Sequence, residues 1–173
     1  PFAAAQNLYV QPAGYETVEG NSSSGIPFSY VSSRVQQSDS NTIGLVMPAI
    51  GSLAFRRDRT AGATATARTI DVTLLMGKND INTFSTNFAT NWLSAPTTVY
   101  ARKPTNLPDI STAPPAPPGP FVIQIVFDAP FFYDGIDSLM WEAQVDSGVT
   151  GTYSMDWVSA ATTTSGATSA CRR

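Results

Sequence analysis

The amino-acid sequence predicts a mainly β protein, an antiparallel β-sandwich of jelly-roll-like form carrying one short helix. Three observations predict it. Apolar residues alternate strictly in three separate segments, clusters of Gly, Pro, Asn and Ser interrupt the chain at short intervals, and a helical period appears in one segment. At 173 residues the chain has single-domain length and is long enough to bury a core without disulfide staples.

The clearest strand runs from Thr69 to Met76, with Ile70, Val72, Leu74 and Met76 on one face and Thr69, Asp71 and Thr73 on the other. Phe121, Ile123, Ile125 and Phe127 repeat the pattern against Gln124 and Asp128, as do Leu139, Trp141, Ala143 and Val145 against Glu142, Gln144 and Asp146. Burying four such side chains stabilises by on the order of 6 to 12 kcal/mol per strand, so these three strands form the predicted core. Shorter strands are expected over 8–11, 15–18, 28–36, 50–56, 97–102 and 153–158. From Asp80 onward Ile81, Phe84, Phe88 and Trp92 fall at helical spacing with Asp80 placed to cap the first turn, which predicts a helix over 81–92 lying on the sheet. Residues 103–120 hold seven of the 13 prolines and read as a long surface loop inside the domain. The expected organisation is an N-terminal arm (1–13), one sandwich domain (14–160) and a Ser/Thr/Ala-rich tail (161–173).

Composition narrows the function. Only 13% of residues are charged, about half the usual fraction, while 18 Ser and 20 Thr supply uncharged polar surface. The absence of His removes the commonest general base and zinc ligand together with Ser-His-Asp and Cys-His chemistry, so the expectation is a protein that is not an enzyme. A net charge of -3 argues against nucleic-acid binding, and no apolar run approaches the roughly 18 residues of a membrane span. The single Cys171 forms no intrachain disulfide. Ala3-Ala4-Ala5-Gln6 resembles the small-residue end of a secretory signal, and with low Lys and high Thr, Ser and Asn it points to an extracellular or cell-surface location.

Four groups of residues carry candidate chemistry. Asp134 and Asp137 flank a Gly-containing turn whose carboxylates and carbonyls suit calcium, the one cofactor considered. Glu16 and Glu19 are the other acidic site, and a glycosidase would need two carboxylates facing across a cleft, which spacing alone does not supply. Arg56-Arg57-Asp58-Arg59 reads as a solvated, partly Asp-paired strand terminus. Tyr153 and Trp157 share a parity on the last predicted strand and are the aromatic candidates for stacking on glycan. In the arm, Leu8 and Val10 alternate with Tyr9 and Gln11, a pattern suited to pairing with the sheet edge of a neighbouring subunit.

A family resemblance is carried by Gly14-Tyr15-Glu16-Thr17-Val18-Glu19-Gly20-Asn21, Pro27-Phe28, Arg34-Val35-Gln36-Gln37, Thr86-Asn87-Phe88-Ala89-Thr90-Asn91, Thr97-Thr98-Val99-Tyr100, Pro118-Gly119-Pro120-Phe121 and Pro130-Phe131-Phe132-Tyr133-Asp134. In this order the motifs resemble a group of uncharacterised secreted bacterial proteins, planctomycete-like, many of which carry PEP-CTERM-type sorting tails. The resemblance spans about Gly14 to Asp146 and implies an exported, surface-associated β-sandwich, with no catalytic residues to transfer. No sorting-tail pattern follows Ser165 in this sequence, which departs from the group. Two functions are expected in consequence: a structural, self-assembling filament or surface-layer subunit joined by β-strand addition, or a polysaccharide-binding adhesive module.

Overall fold

The computed structural model describes residues 7–45, 47–59, 65–148, 151–159 and 167–172, and of 47, 48 and 167–172 only the backbone. The alanine triplet, the first half of the expected arm and tail residues 161–166 lie outside the described residues. Among the described residues nine strands form: β1 Ser22–Ser24, β2 Ser33–Asp39, β3 Met47–Phe55, β4 Arg68–Asn79, β5 Thr97–Leu107, β6 Ile123–Tyr133, β7 Ser138–Ser147, β8 Met155–Trp157 and β9 Ala167–Arg172. Five of them make one antiparallel sheet in the order β5-β4-β7-β2-β9. The other layer is built from the pairs β3-β6 and β1-β8, which Arg57 joins by bridging to Met155 just beyond β3. The protein is a mainly β sandwich, as the alternating segments predict.

Strand parity positions the core. Ile70, Val72, Leu74 and Met76 of β4 and Leu139, Trp141, Ala143 and Val145 of β7 are buried, and Ile123 and Ile125 of β6 meet them from the second layer. Phe55 of β3 sets its ring edge-on to Trp141 at 5.8 Å and to Phe28 at 5.3 Å, and Phe28 continues edge-on to Tyr153 at 6.2 Å. Such edge-to-face contacts add about 0.5 to 1.5 kcal/mol each beyond area burial, which pins the layers in register.

Several expectations are corrected. The helix over 81–92 does not form; two single 3-10 turns, Ile81–Thr83 and Phe88–Thr90, take its place. Asp80 does cap, accepting from Asn82 N at 3.0 Å, yet the polar side chains that follow bond locally instead of extending a helix. Ser85 N donates to Asn91 Oδ1 at 2.9 Å, Asn91 Nδ2 to Ser85 O at 2.7 Å, and the Thr83 and Thr90 hydroxyls to Asp80 O and Asn87 O at 3.0 Å. Asn, Ser and Thr offer the backbone this alternative, and a short helix has little propagation energy with which to resist it. The apolar stripe still serves packing, for Phe88 is buried and Trp92 lies so close to Gly77 that a Cβ there would sit 2.9 Å from the indole.

The proline-rich loop is shorter than expected because β5 runs through Pro104 to Leu107, which an edge strand tolerates. Residues 7–10 and 15–18 form no strand, and the segment from Phe28 turns until Ser33 before β2 begins. The basic cluster is not solvated: Arg56, Arg57 and Asp58 are all buried. Arg56 is enclosed because Asp156 of β8 accepts from its Nε at 2.6 Å while the carbonyls of Tyr15 and Val18 accept from its other nitrogens at 3.1 and 2.5 Å.

Candidate functional site

The outer face of the five-stranded sheet is divided in two. The excursion between β4 and β5, carrying Phe88, Asn91 and Trp92, covers one half, and under it Met140 and Glu142 of the central strand β7 become wholly buried. Strand parity assigns Glu142 to the outward face, and that assignment is right; a second covering makes the outward face an interior there. Glu142 accepts from Arg34 Nε at 2.6 Å and Nη2 at 2.9 Å, from Gln36 Nε2 at 2.6 Å and from Gln144 Nε2 at 2.5 Å. Gln36 also donates to Phe88 O at 3.1 Å and accepts from Asn91 Nδ2 at 2.8 Å, while the Arg34 guanidinium stacks over the Phe88 ring at 4.8 Å. A buried carboxylate is tolerable only when its lone pairs are filled, and here four donors fill them.

Where the cover stops, a groove opens beside Arg34, lined by Ser32, Ser33, Arg34, Gln144 and Asp146, with a volume of about 240 Å³. The open half of the face beyond it is ionic and hydroxylated. Arg102 meets Asp71 at 3.3 Å and Asp146 at 3.5 Å, Ser147 Oγ donates to Asp71 at 2.9 Å, and Thr69 Oγ1 donates to Asn106 at 2.7 Å. Sequence reasoning put Glu142 and Gln144 on the polar side of their strand and named Arg34 and Gln36 only among the motifs of the resemblance, assigning none of the four to a site. The signal that could have found them is a polar i, i+2 pair on each of two strands, one of them carrying one of only three Glu in the chain.

The opposite layer has a different character. Ile43, Leu45, Val122, Val126, Phe132 and Ile136 are exposed on β6, on the approaches to β3 and β6 or in the β6–β7 turn, and Phe132 reaches 72% exposure. Gly44 N donates to Gly135 O at 2.8 Å, which holds the turn bearing Ile136 against the loop bearing Ile43 and Leu45. A positive φ of 77° and the Leu45 backbone 2.9 Å from an added Cβ both require glycine at 135. Across β3 and β6 the surface positions Ser52, Ala54, Gln124 and Val126 carry no charge.

The sequence-predicted residues fall as follows. Leu8 is exposed, Val10 is buried, Gln11 is half-buried, and the half-buried Tyr9 turns its hydroxyl toward Asp39, so the described part of the arm packs on its own domain. Burial first and then the Asp39 charge push the Tyr9 hydroxyl up to about 12. Asp134 and Asp137 do come together, but on a lysine: Lys78 Nζ lies 2.9 Å from one and 3.4 Å from the other. The Lys78 hydrogen bond holds Asp134 below the usual carboxylate range, and among the described residues no group of three or more metal-capable side chains assembles. The Lys78 ammonium thus sits between the two carboxylates expected to bind calcium. Tyr153 is removed as a glycan contact, being fully buried with its hydroxyl donating to Pro108 O at 2.7 Å and Arg68 over its ring at 5.0 Å. Trp157 is half-buried on β8. Glu16 accepts from Gly14 N at 3.4 Å within its own loop, while Glu19 accepts from Arg59 N at 2.6 Å and ties that loop to the segment after β3. No family model, curated protein or solved structure matches the chain.

Proposed function

We propose that the protein is a non-enzymatic extracellular structural subunit that assembles with copies of itself, the β3–β6 layer supplying the contact. The observation that carries this reading is a clustering of exposed apolar side chains: among the described residues, six of the ten large apolar ones that are exposed lie on or beside the β3–β6 layer. Contiguous exposed apolar surface marks contact with another molecule. Identical copies meet little charge repulsion at a net charge of -3.

Magnitudes decide how much surface the contact needs. Full burial of an Ile, Leu or Phe is worth about 1.5 to 3 kcal/mol, so the half-exposed Ile43, Leu45, Phe132 and Ile136 together offer on the order of 4 to 8 kcal/mol. Association costs about 4 to 15 kcal/mol, so the turn alone makes a weak contact and the flat of β3–β6 must join it. Of the arm residues, Leu8 has an exposed apolar side chain to add, whereas Tyr9 and Val10 face their own domain.

Sedimentation velocity and electron microscopy over a wide concentration range test the reading. Ordered oligomers or filaments are expected, and the Phe132→Ser, Ile136→Ser double variant is expected to remain monomeric with an unchanged far-ultraviolet circular dichroism spectrum. A wild-type chain that stays monomeric at every concentration overturns the reading.

A further inference from the structure

We propose that the groove beside Arg34 binds a neutral sugar unit through its hydroxyl groups. Three independent features of the site carry this. The first is a guanidinium fixed before any ligand arrives. Glu142 has no exposed side-chain surface and Arg34 has 35%, so the bidentate pair presents its arginine side to the groove. A buried ion pair stabilises a fold little better than apolar residues of the same volume. What it supplies here, with the Phe88 stack and the Gln36 and Gln144 amides, is a donor whose orientation costs a ligand nothing further to set.

The second feature is strain. Ser32 stands at φ 58°, the one non-glycine residue with positive φ among the described residues. The left-handed region costs a serine about 1 to 2 kcal/mol, and such outliers gather where a side chain must be presented. Ser32 is exposed at the groove.

The third feature selects the class of ligand. Charges around the groove cancel locally: Arg34 is neutralised by Glu142, and Asp146 faces Arg102 at 3.5 Å. A phosphate or carboxylate would meet an arginine already paired and an aspartate of like charge. An apolar ligand would leave the lining unpaired, at a cost of about 1 to 3 kcal/mol per buried polar group. What remains on offer is a mixture of donors and acceptors: guanidinium N–H, the Ser32 hydroxyl, the Gln144 amide carbonyl and the Asp146 carboxylate. A sugar hydroxyl donates and accepts at once, which suits that mixture. No aromatic residue lines the groove, so binding is by hydroxyls alone and its affinity is millimolar.

The test is a nuclear magnetic resonance titration of the full chain, following the Arg34 Nε–H and Gln144 amide signals. The probes are a panel of neutral hexoses and pentoses, with glycerol, glucuronate and inorganic phosphate as comparisons. Saturable shifts confined to the groove with at least one neutral sugar at millimolar concentration are expected, with weaker effects from the other three. Ser32→Gly relieves the φ strain and removes a hydroxyl, so it is expected to leave thermal stability equal or higher while weakening binding severalfold. Gln144→Ala is expected to weaken it about tenfold. A tighter response to phosphate or glucuronate, an equal response to glycerol, no saturation with any neutral sugar, or full binding by both variants each overturns the proposal. Self-assembly is untouched by these outcomes, since none of the groove residues lies on the β3–β6 layer.

Discussion

Glu142 concentrates more consequence than any other single residue. Its four donors come from three side chains, and Arg34 supplies the only cationic one. Arg34→Ala is expected to cost about 3 to 5 kcal/mol, because it strands a buried carboxylate, while the paired change Arg34→Leu, Glu142→Leu recovers most of that. Urea denaturation of the three proteins checks it. Asp39 is the contrasting case: it is buried, and its carboxyl is pushed above the usual range by burial, with the hydrogen bond from Asn41 and the nearby Tyr9 hydroxyl offsetting only part of the effect. A raised folded-state value means the native state holds its proton longer than the unfolded chain does. The associated stability is therefore full below the ordinary carboxylate value and declines as pH rises through the raised one. Asp39→Asn keeps the acceptor for Asn41 N and is expected to raise the melting temperature at neutral pH and to flatten its decline above about pH 4, which thermal denaturation as a function of pH measures.

At the scale of elements, the long regular strands were legible, whereas the short β1, the β9 strand inside the expected tail and the coverings were not. Ile70 to Met76 and Leu139 to Val145 reveal their inward faces by period alone, because a period of two has one structural meaning when the strand is regular. The stripe Ile81, Phe84, Phe88, Trp92 matches a helix by spacing, yet Asn82, Thr83, Ser85, Asn87, Thr90 and Asn91 lie between its members and favour local turns. What no local pattern shows is where that segment lands, and its landing on Gly77 and Gln36 is what turns Glu142 from surface to interior. The same reason hid the groove, whose five residues come from strands paired across about a hundred positions in sequence. Gly77→Ala is expected to cost about 1 to 3 kcal/mol by pressing a methyl into the Trp92 ring. Trp92→Ala is expected to loosen the whole excursion, seen as protease cleavage between Ile81 and Thr90 while β4 and β7 stay protected from hydrogen exchange.

For the whole molecule, the arrangement is a slab with unlike faces: one is ionic and half-covered, the other carries most of the exposed large apolar residues beside the Lys78–Asp134–Asp137 and Lys103–Asp128 pairs. Assembly and sugar recognition then use opposite sides and need not compete. If both hold, a sugar ligand is expected to leave the sedimentation coefficient of the assembled protein unchanged, and a dissociating effect of sugar would show that the two surfaces overlap. The strand order has a further consequence, for biosynthesis. β7 lies between β4 and β2, pairing Leu74 and Val35 alike to Ala143, so the large sheet has no centre until residues 138–147 have been made. Before that point β4 and β5 are the one pair of sequence-adjacent strands available to each other, and a lone hairpin is marginal in water. Strands made before β7 therefore cannot complete the large sheet, and its closure waits on β7 to draw together β4 and β2, which are distant in sequence.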